Sequence, residues 1–243
     1  MLVNLFLRFL SCLILWIKYV LPVHTILTWI QPVLARGKKN SKIPKGLPPL
    51  SAFEVVSDRC CRILGMNPGV HTLHGTNLYL IGLGKERVLV DTGEVGPAAD
   101  VVKKILDEVL PSTGTTRISR ILLTHGHYDH QGGVCEFLNE VKRRKVTPPL
   151  VYKRRIVRGG NGSGVEIGKY PAKGFDCEHL RNGEDIIIDE GTTLRCVYTP
   201  GHTDDSVCFI LKEDFALLSG DSVLGCGTSV FDDLNDYMRS LRL

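Results

Sequence analysis

Beyond residue 52 the chain alternates short apolar runs with turn-forming residues. FEVVSDRCCRILGM has strand character, and NLYLIG and RVLVDTG read as short buried strands joined by a Gly-Leu-Gly-Lys turn. PAADVVKKILDEVL then sets Val101, Val102, Ile105, Leu106, Val109 and Leu110 on one helical face, with Pro111 expected to end the helix. SRILLT predicts a strand running straight into HGHYDH, and QGGVCEFLNEVKRR behind it predicts a helix. PLVYKRRIV, EDIIID, TLRCVYT, SVCFILK and FALLSGD read as further strands, and VFDDLNDYMRSLRL closes with helical periodicity. Strands dominate, helices are interspersed, and no G-x-G-x-x-G follows a strand. The pattern predicts an α/β layered domain with mixed sheets rather than a dinucleotide-binding wheel.

The first 35 residues differ. They carry two charges, Arg8 and Lys18, and residues 19–35 form an uncharged run interrupted by Pro22 and Pro32. Four readings stay open: a membrane anchor, an organelle-targeting segment, a secretory signal, or an extension that is not part of the expressed chain. The basic Pro/Gly linker at 36–51 would hold an anchored domain on the cytoplasmic side. A membrane-anchored or mitochondrial location is therefore expected, and secretion is not. The domain itself is expected to span 52–243, a length with 43% apolar residues overall and so enough to bury a core. Eight cysteines without a C-x-x-C pair fit a reducing compartment.

Chemistry concentrates at strand ends. Thr124-His125-Gly126-His127-Tyr128-Asp129-His130 packs three imidazoles and a carboxylate into consecutive positions behind a buried strand. Period-two spacing points His125 and His127 the same way, and the following turn lets Asp129 and His130 face a neighbouring point. Neutral imidazoles and carboxylates are what a zinc-like divalent ion binds, with a position left for water. TPGHTDDS supplies His202 and SGDS supplies Asp221, each just after a strand, adding a third imidazole and a carboxylate able to bridge two ions.

With these residues in place, the sequence resembles the metallo-β-lactamase-fold hydrolases over about 52–243. The resemblance implies an αββα sandwich of two mixed sheets. It also implies up to two Zn2+, the first on His125, His127 and His202, the second on Asp129 and His130, with Asp221 bridging. Asp129 and Asp221 would be the catalytic carboxylates, and Asp91 of VDTG would support the metal loops without binding metal. A carboxylate at 221, where some antibiotic-degrading members carry cysteine, points away from β-lactams. NPGVHTLHGTNLYLIG, TPGHTDDS and SGDSVLGCGTSVFDDLNDYMRSL are similar to the beta-lactamase-like-2 endoribonucleases, and fungal acyl-carrier thioesterases carry similar strings. Gly126 and Tyr128 depart from the branch's usual Trp and Arg or Gly. No histidine follows His202, whereas the family takes a last ligand from a Pro-Gly-His stretch beyond the closing helix. The chain is thus expected to lack C-terminal strands and helices and to leave the second metal one ligand short.

The expected function is metal-dependent hydrolysis by a metal-bound hydroxide. Single-stranded RNA is the first substrate class. An acyl or glutathione thioester hydrolase is the alternative, and a truncated member with weak or no catalysis is the third reading. Residues 141–158 hold eight Lys or Arg and no acid. Within them Lys142, Arg143, Arg144, Lys145, Lys153, Arg154 and Arg155 are the candidate phosphate contacts. The alternative for this run is a solvated helix end and an exposed strand, and Tyr152 is its one interleaved aromatic. No protein partner is indicated.

Overall fold

A computed structural model describes residues 47–158, 165, 166, 168, 172 and 174–243. The hydrophobic segment 1–35 and most of the linker lie outside these residues, and no described helix is long and apolar enough to cross a membrane.

Two hairpins open the fold: β1 (Phe53–Ser57) with β2 (Cys60–Leu64), and β3 (Asn77–Ile81) with β4 (Glu86–Val90). Strand β5 (Arg117–Leu122) joins β4 in parallel after a helical crossover, and β6 (Leu150–Lys153) and β9 (Glu178–His179) continue the parallel half. The seven-stranded sheet therefore runs β1-β2-β3-β4-β5-β6-β9 and is mixed. A four-stranded sheet follows, β10 (Asp185–Asp189), β11 (Thr192–Tyr198), β12 (Val207–Leu211) and β13 (Ala216–Leu218). It is antiparallel throughout, so only one of the two sheets is mixed. The strands β7 (Val157–Arg158) and β8 (Val165–Glu166) pair separately.

Two apolar layers hold the stack together. On the outer face of the large sheet, Val101, Val102, Ile105, Val134, Phe137 and Val141 cover Ile63, Leu80, Leu89 and Ile121. Between the sheets, Ile81, Val88, Val90 and Leu122 meet Leu194, Cys196, Phe209 and Leu218. Alternation along β4 and β5 sends successive residues to these two layers, as a strand buried on both faces must. On the far face of the four-stranded sheet, Ile187 and Leu217 stay 67% and 55% exposed.

The crossover helix runs longer than its pattern predicts. It consists of α1 (Ala98–Lys104), a π-helical stretch Ile105–Val109 and a last turn α2 (Leu110–Ser112) that contains Pro111. The Leu110 N–H reaches back to the Ile105 carbonyl, five residues away. This wider turn relieves the clash a proline ring makes with the carbonyl four residues earlier, so Pro111 is accommodated instead of ending the helix.

Two predicted strands are shorter than expected. In PLVYKRRIV the ladder stops at Lys153, because the Arg155 N–H donates to His179 Nδ1 at 3.1 Å instead of to a neighbouring strand. In FALLSGD, Phe215 sits in a left-handed turn (φ 51°), almost fully exposed, and the strand starts only at Ala216.

Candidate metal centre

Parallel pairing of β4 with β5 brings Asp91 beside the loop that follows β5. That loop holds His125 and His127, and turns into α3 (Tyr128–Gln131) with Asp129 and His130. Two glycines let α3 settle against residues 91–95. A Cβ on Gly132 would stand 2.8 Å from the Val95 nitrogen, and one on Gly133 2.3 Å from the Thr92 carbonyl oxygen. No side chain fits there. The helix α4 (Val134–Arg143) then leaves the site. His202 lies in the turn between β11 and β12, and Asp221 lies just beyond β13.

Six of the residues singled out in the sequence converge in two groups, His125, His127, His202 and Asp221, and Asp129, His130 and Asp221. His125 Nε2 lies 3.0 Å from His127 Nδ1 and 3.2 Å from His202 Nε2, and the last two are 3.0 Å apart. Three nitrogens about 2 Å from one tetrahedral ion would stand about 3.3 Å apart, so the triangle matches a zinc-like site. In the second group His130 Nε2 lies 3.4 Å from Asp129 Oδ2 and 3.3 Å from Asp221 Oδ1. It is buried and has no hydrogen-bond partner, a gap that a bound metal would fill. Asp221 turns its other oxygen, Oδ2, toward His202 Nε2 at 3.7 Å, so one carboxylate serves both groups. The residues present therefore fit a pair of divalent ions.

The tautomers are fixed from behind. Asp91, held at φ 61°, accepts the Thr124 N–H at 2.8 Å and the Thr124 hydroxyl at 2.7 Å, and receives the His130 Nδ1–H at 2.7 Å. With its hydroxyl hydrogen committed to Asp91, Thr124 Oγ1 accepts from His125 Nδ1 at 3.0 Å. Asp91 thus leaves Nε2 of one histidine in each group facing the centre. His202 Nδ1 donates to the Val230 carbonyl at 2.7 Å, with the same effect. Asp129 is held by the Thr76 hydroxyl at 2.8 Å, and Thr76 in turn by Asn67, whose amide also meets Glu94. Thr124, Thr76, Asn67 and Glu94 were not singled out beforehand. Thr76 and Thr124 stand in the HGTN and LLTH strings, where a threonine carries no ligand chemistry of its own, and Asn67 and Glu94 stand in neither.

Charge follows this layout. Burial, reinforced by the neighbouring imidazoles, holds His125 neutral, well below the usual histidine range, and burial with His202 brings His127 down to about 4. Burial opposes charge on His130 too, but Asp129, Asp91 and Asp221 outweigh it and hold His130 well above the ordinary value. Burial would raise Asp129 and Asp221, and the charge of His130 overrides it, keeping both carboxyls ionised. The Asp129 and Asp221 side chains are 25% and 29% exposed while those of His130 and His202 are 3%, so the two groups open to solvent on the carboxylate side.

The predicted phosphate contacts do not form one surface. The α4 amino end adjoins the metal loop through the Gly133 N–H and Gly93 carbonyl, and its ten residues carry the carboxyl end about 15 Å away. Lys142, Arg143, Arg144 and Lys145 lie there. Arg143 pairs with Glu140, and Arg144 with Glu140 and Asp107, acids just outside the basic run or distant in sequence. Lys153 is 1% exposed and bound to Asp205, which corrects its assignment as a nucleic-acid contact: a buried ammonium cannot meet a phosphate. Arg154 stacks on Tyr198, 4.1 Å from the ring centre, with Nε and Nη1 buried, and Arg155 follows beside His179.

A metallo-beta-lactamase superfamily model matches residues 71–242. The chain is 43% identical over 190 residues to the beta-lactamase-like protein 2 homolog of Caenorhabditis elegans, covering 78% of this chain and 58% of that one. It is 39% identical over 202 residues to the atrochrysone carboxyl ACP thioesterase of Passalora fulva, covering 81% and 52%. Its fold resembles the crystal structure of a beta-lactamase domain protein from Burkholderia ambifaria, with a TM-score of 0.62 at 22% identity over 82% of this chain and 69% of that one. The chain spans about half the length of the curated relatives it matches. By its matching residues and its layered fold, this chain belongs to the metallo-beta-lactamase superfamily.

Proposed function

We propose that the chain is a zinc-dependent hydrolase that cleaves phosphodiester bonds in single-stranded RNA. Asp221 carries the hydrolytic reading, because its two oxygens face His130 and His202 and join two donor groups through one carboxylate. When bound there, two cations lower the pKa of a water and neutralise charge on the attacking and leaving oxygens of an in-line displacement. Asp129 and Asp221, ionised at neutral pH and on the open side, would help hold the cations and would accept a hydrogen bond from the attacking water, orienting it. Asp91 and Thr124 keep His125 and His130 in the ligating tautomer through the cycle. RNA is chosen on the likeness to the beta-lactamase-like protein 2 homolog and on the three strings that resemble the endoribonuclease branch. Membrane or mitochondrial placement rests on residues 1–45 alone.

Thioester hydrolysis is the second reading, favoured by the fungal relative named as an acyl-carrier-protein thioesterase. The same metal centre suits both bonds, so substrate must decide. Zinc-loaded protein should cut a labelled single-stranded RNA oligonucleotide into fragments, and Asp221→Asn should abolish the cut. Turnover of an acyl-pantetheine thioester with intact RNA would overturn the RNA reading and support the second.

A further inference from the structure

We propose that Lys153 and Asp205 form a tether that sets the position of His202, making Lys153 a positioning residue of the metal centre. The first metal group draws donors from two sheets. His125 and His127 follow β5 of the seven-stranded sheet, and His202 lies in the β11–β12 turn of the four-stranded one. Whether the group closes depends on how the sheets are held together at this edge. β6 lies beside β5 in parallel, with Tyr152 opposite Leu122 and its carbonyl accepting the Leu123 N–H, so Lys153 ends its strand level with the start of the metal loop. Its ammonium crosses to Asp205, three residues past His202, and both side chains are sealed from solvent.

On the far side, the tether continues into the turn. The other oxygen of Asp205 accepts the Thr203 hydroxyl at 2.7 Å, Ser206 Oγ accepts the Thr203 N–H at 3.1 Å, and the Gly201 N–H meets the Thr203 carbonyl at 3.0 Å. A pull on Asp205 is thereby passed to the backbone on both sides of His202. A buried ion pair is a weak source of net stability, since apolar residues of similar volume often serve as well. What a charged pair supplies that packing does not is a fixed direction between two points, which a metal site needs within a few tenths of an ångström.

The proposal rests on the metal centre and not on the choice of substrate. The test is cobalt(II) titration of the full chain, followed by the visible absorption of the bound ion, beside metal-free thermal unfolding. Lys153→Met alone strands a buried carboxylate and is expected to unfold easily. The double variant Lys153→Met/Asp205→Asn removes both charges and keeps an acceptor for Thr203. It should unfold near the wild-type temperature yet bind cobalt about 10–100-fold more weakly, with an altered spectrum. Thr203→Val, which cuts the link from Asp205 into the turn together with the Thr203–Ser206 hydroxyl contact, should weaken cobalt by a few-fold. Wild-type affinity and spectrum in either folded variant would overturn the tether. Failure of the wild-type chain itself to take up cobalt would overturn the metal centre beneath it, a separate result.

Discussion

Asp91 Oδ2 receives the Nδ1–H of His130 at 2.7 Å, from a backbone position at φ 61° that few residues other than glycine, asparagine and aspartate adopt readily. The same carboxylate holds Thr124, and through it His125. One residue thus backs both metal groups.

Asp91→Asn separates its charge from its backbone role, because asparagine tolerates the left-handed conformation. The amide oxygen can still accept from the Thr124 N–H, but the NH2 in the place of Oδ2 can accept from neither the Thr124 hydroxyl nor His130. A loss of about 3 kcal/mol in stability is expected from buried donors left unmet, together with weaker metal binding at both groups. Thermal unfolding and metal titration check this. A variant with the wild-type midpoint and affinity would show that Asp91 is merely a turn residue.

The two groups should fill unequally. Among the described residues the first offers three imidazoles and Asp221, the second only Asp129, His130 and the shared Asp221. One metal should therefore survive competition with a chelator that strips the other. His127→Ala and His202→Ala should each lose the tightly held ion, and His130→Ala should keep it. Near-normal zinc retention in the first two would sink the assignment of that group.

Metal uptake at neutral pH should release protons. His130 starts charged, held so by Asp129, Asp91 and Asp221 against its burial, while His125 and His127 start neutral. Filling the His130 nitrogen expels about one proton, visible as acidification of a weakly buffered solution at pH 7 and lost in His130→Gln. In the metal-free protein the signs oppose each other. The stability His130 contributes is present below the ordinary imidazole value of 6.5 and is lost as pH rises through its own raised pKa. The contribution of His127 falls away as pH drops from about 6.5 toward 4. Metal uptake without any proton release at pH 7 would contradict the charged state of His130.

Substituting glutamine for Lys142, Arg143, Arg144 and Lys145 should scarcely change the RNA cleavage proposed above. Glu140 and Asp107 already engage the two arginines, and Arg143 and Arg144 hold the Glu140 carboxyl down to about 2. If Lys142 and Lys145 do reach RNA, the slope of affinity against salt falls by about 1.4 at most. A drop near twice that would mean that all four meet phosphate.

The candidate metal ligands were legible because each follows closely on a strand and belongs to a residue type with few uses there. His125 and His127 needed only the period of a strand to be placed on one side. The supports were not legible, since Thr76, Thr124 and Asn67 act through distant partners and such residues fill any loop. The basic run misled for another reason. Charge counted along the chain ignores which face each residue takes. In LVYK of β6, Val151 and Lys153 share the face turned from Leu150 and Tyr152, and Val151 is buried, a sign that Lys153 points inward. The acids that pair with the arginines come from Glu140, one position before the run, and from Asp107, in the π-helical stretch of a different helix.

His202 takes its orientation from the carbonyl of Val230, a residue whose side chain is 67% exposed. A main-chain acceptor is the same whatever side chain the residue carries. Residue 230 can therefore drift through most of the amino-acid alphabet without disturbing the ligand it aims. Ser229, whose hydroxyl reaches the Asp221 carbonyl at 2.6 Å, has no such freedom. A saturation library over 229 and 230, selected for metal retention, should return a narrow choice at the first position and a nearly unrestricted one at the second.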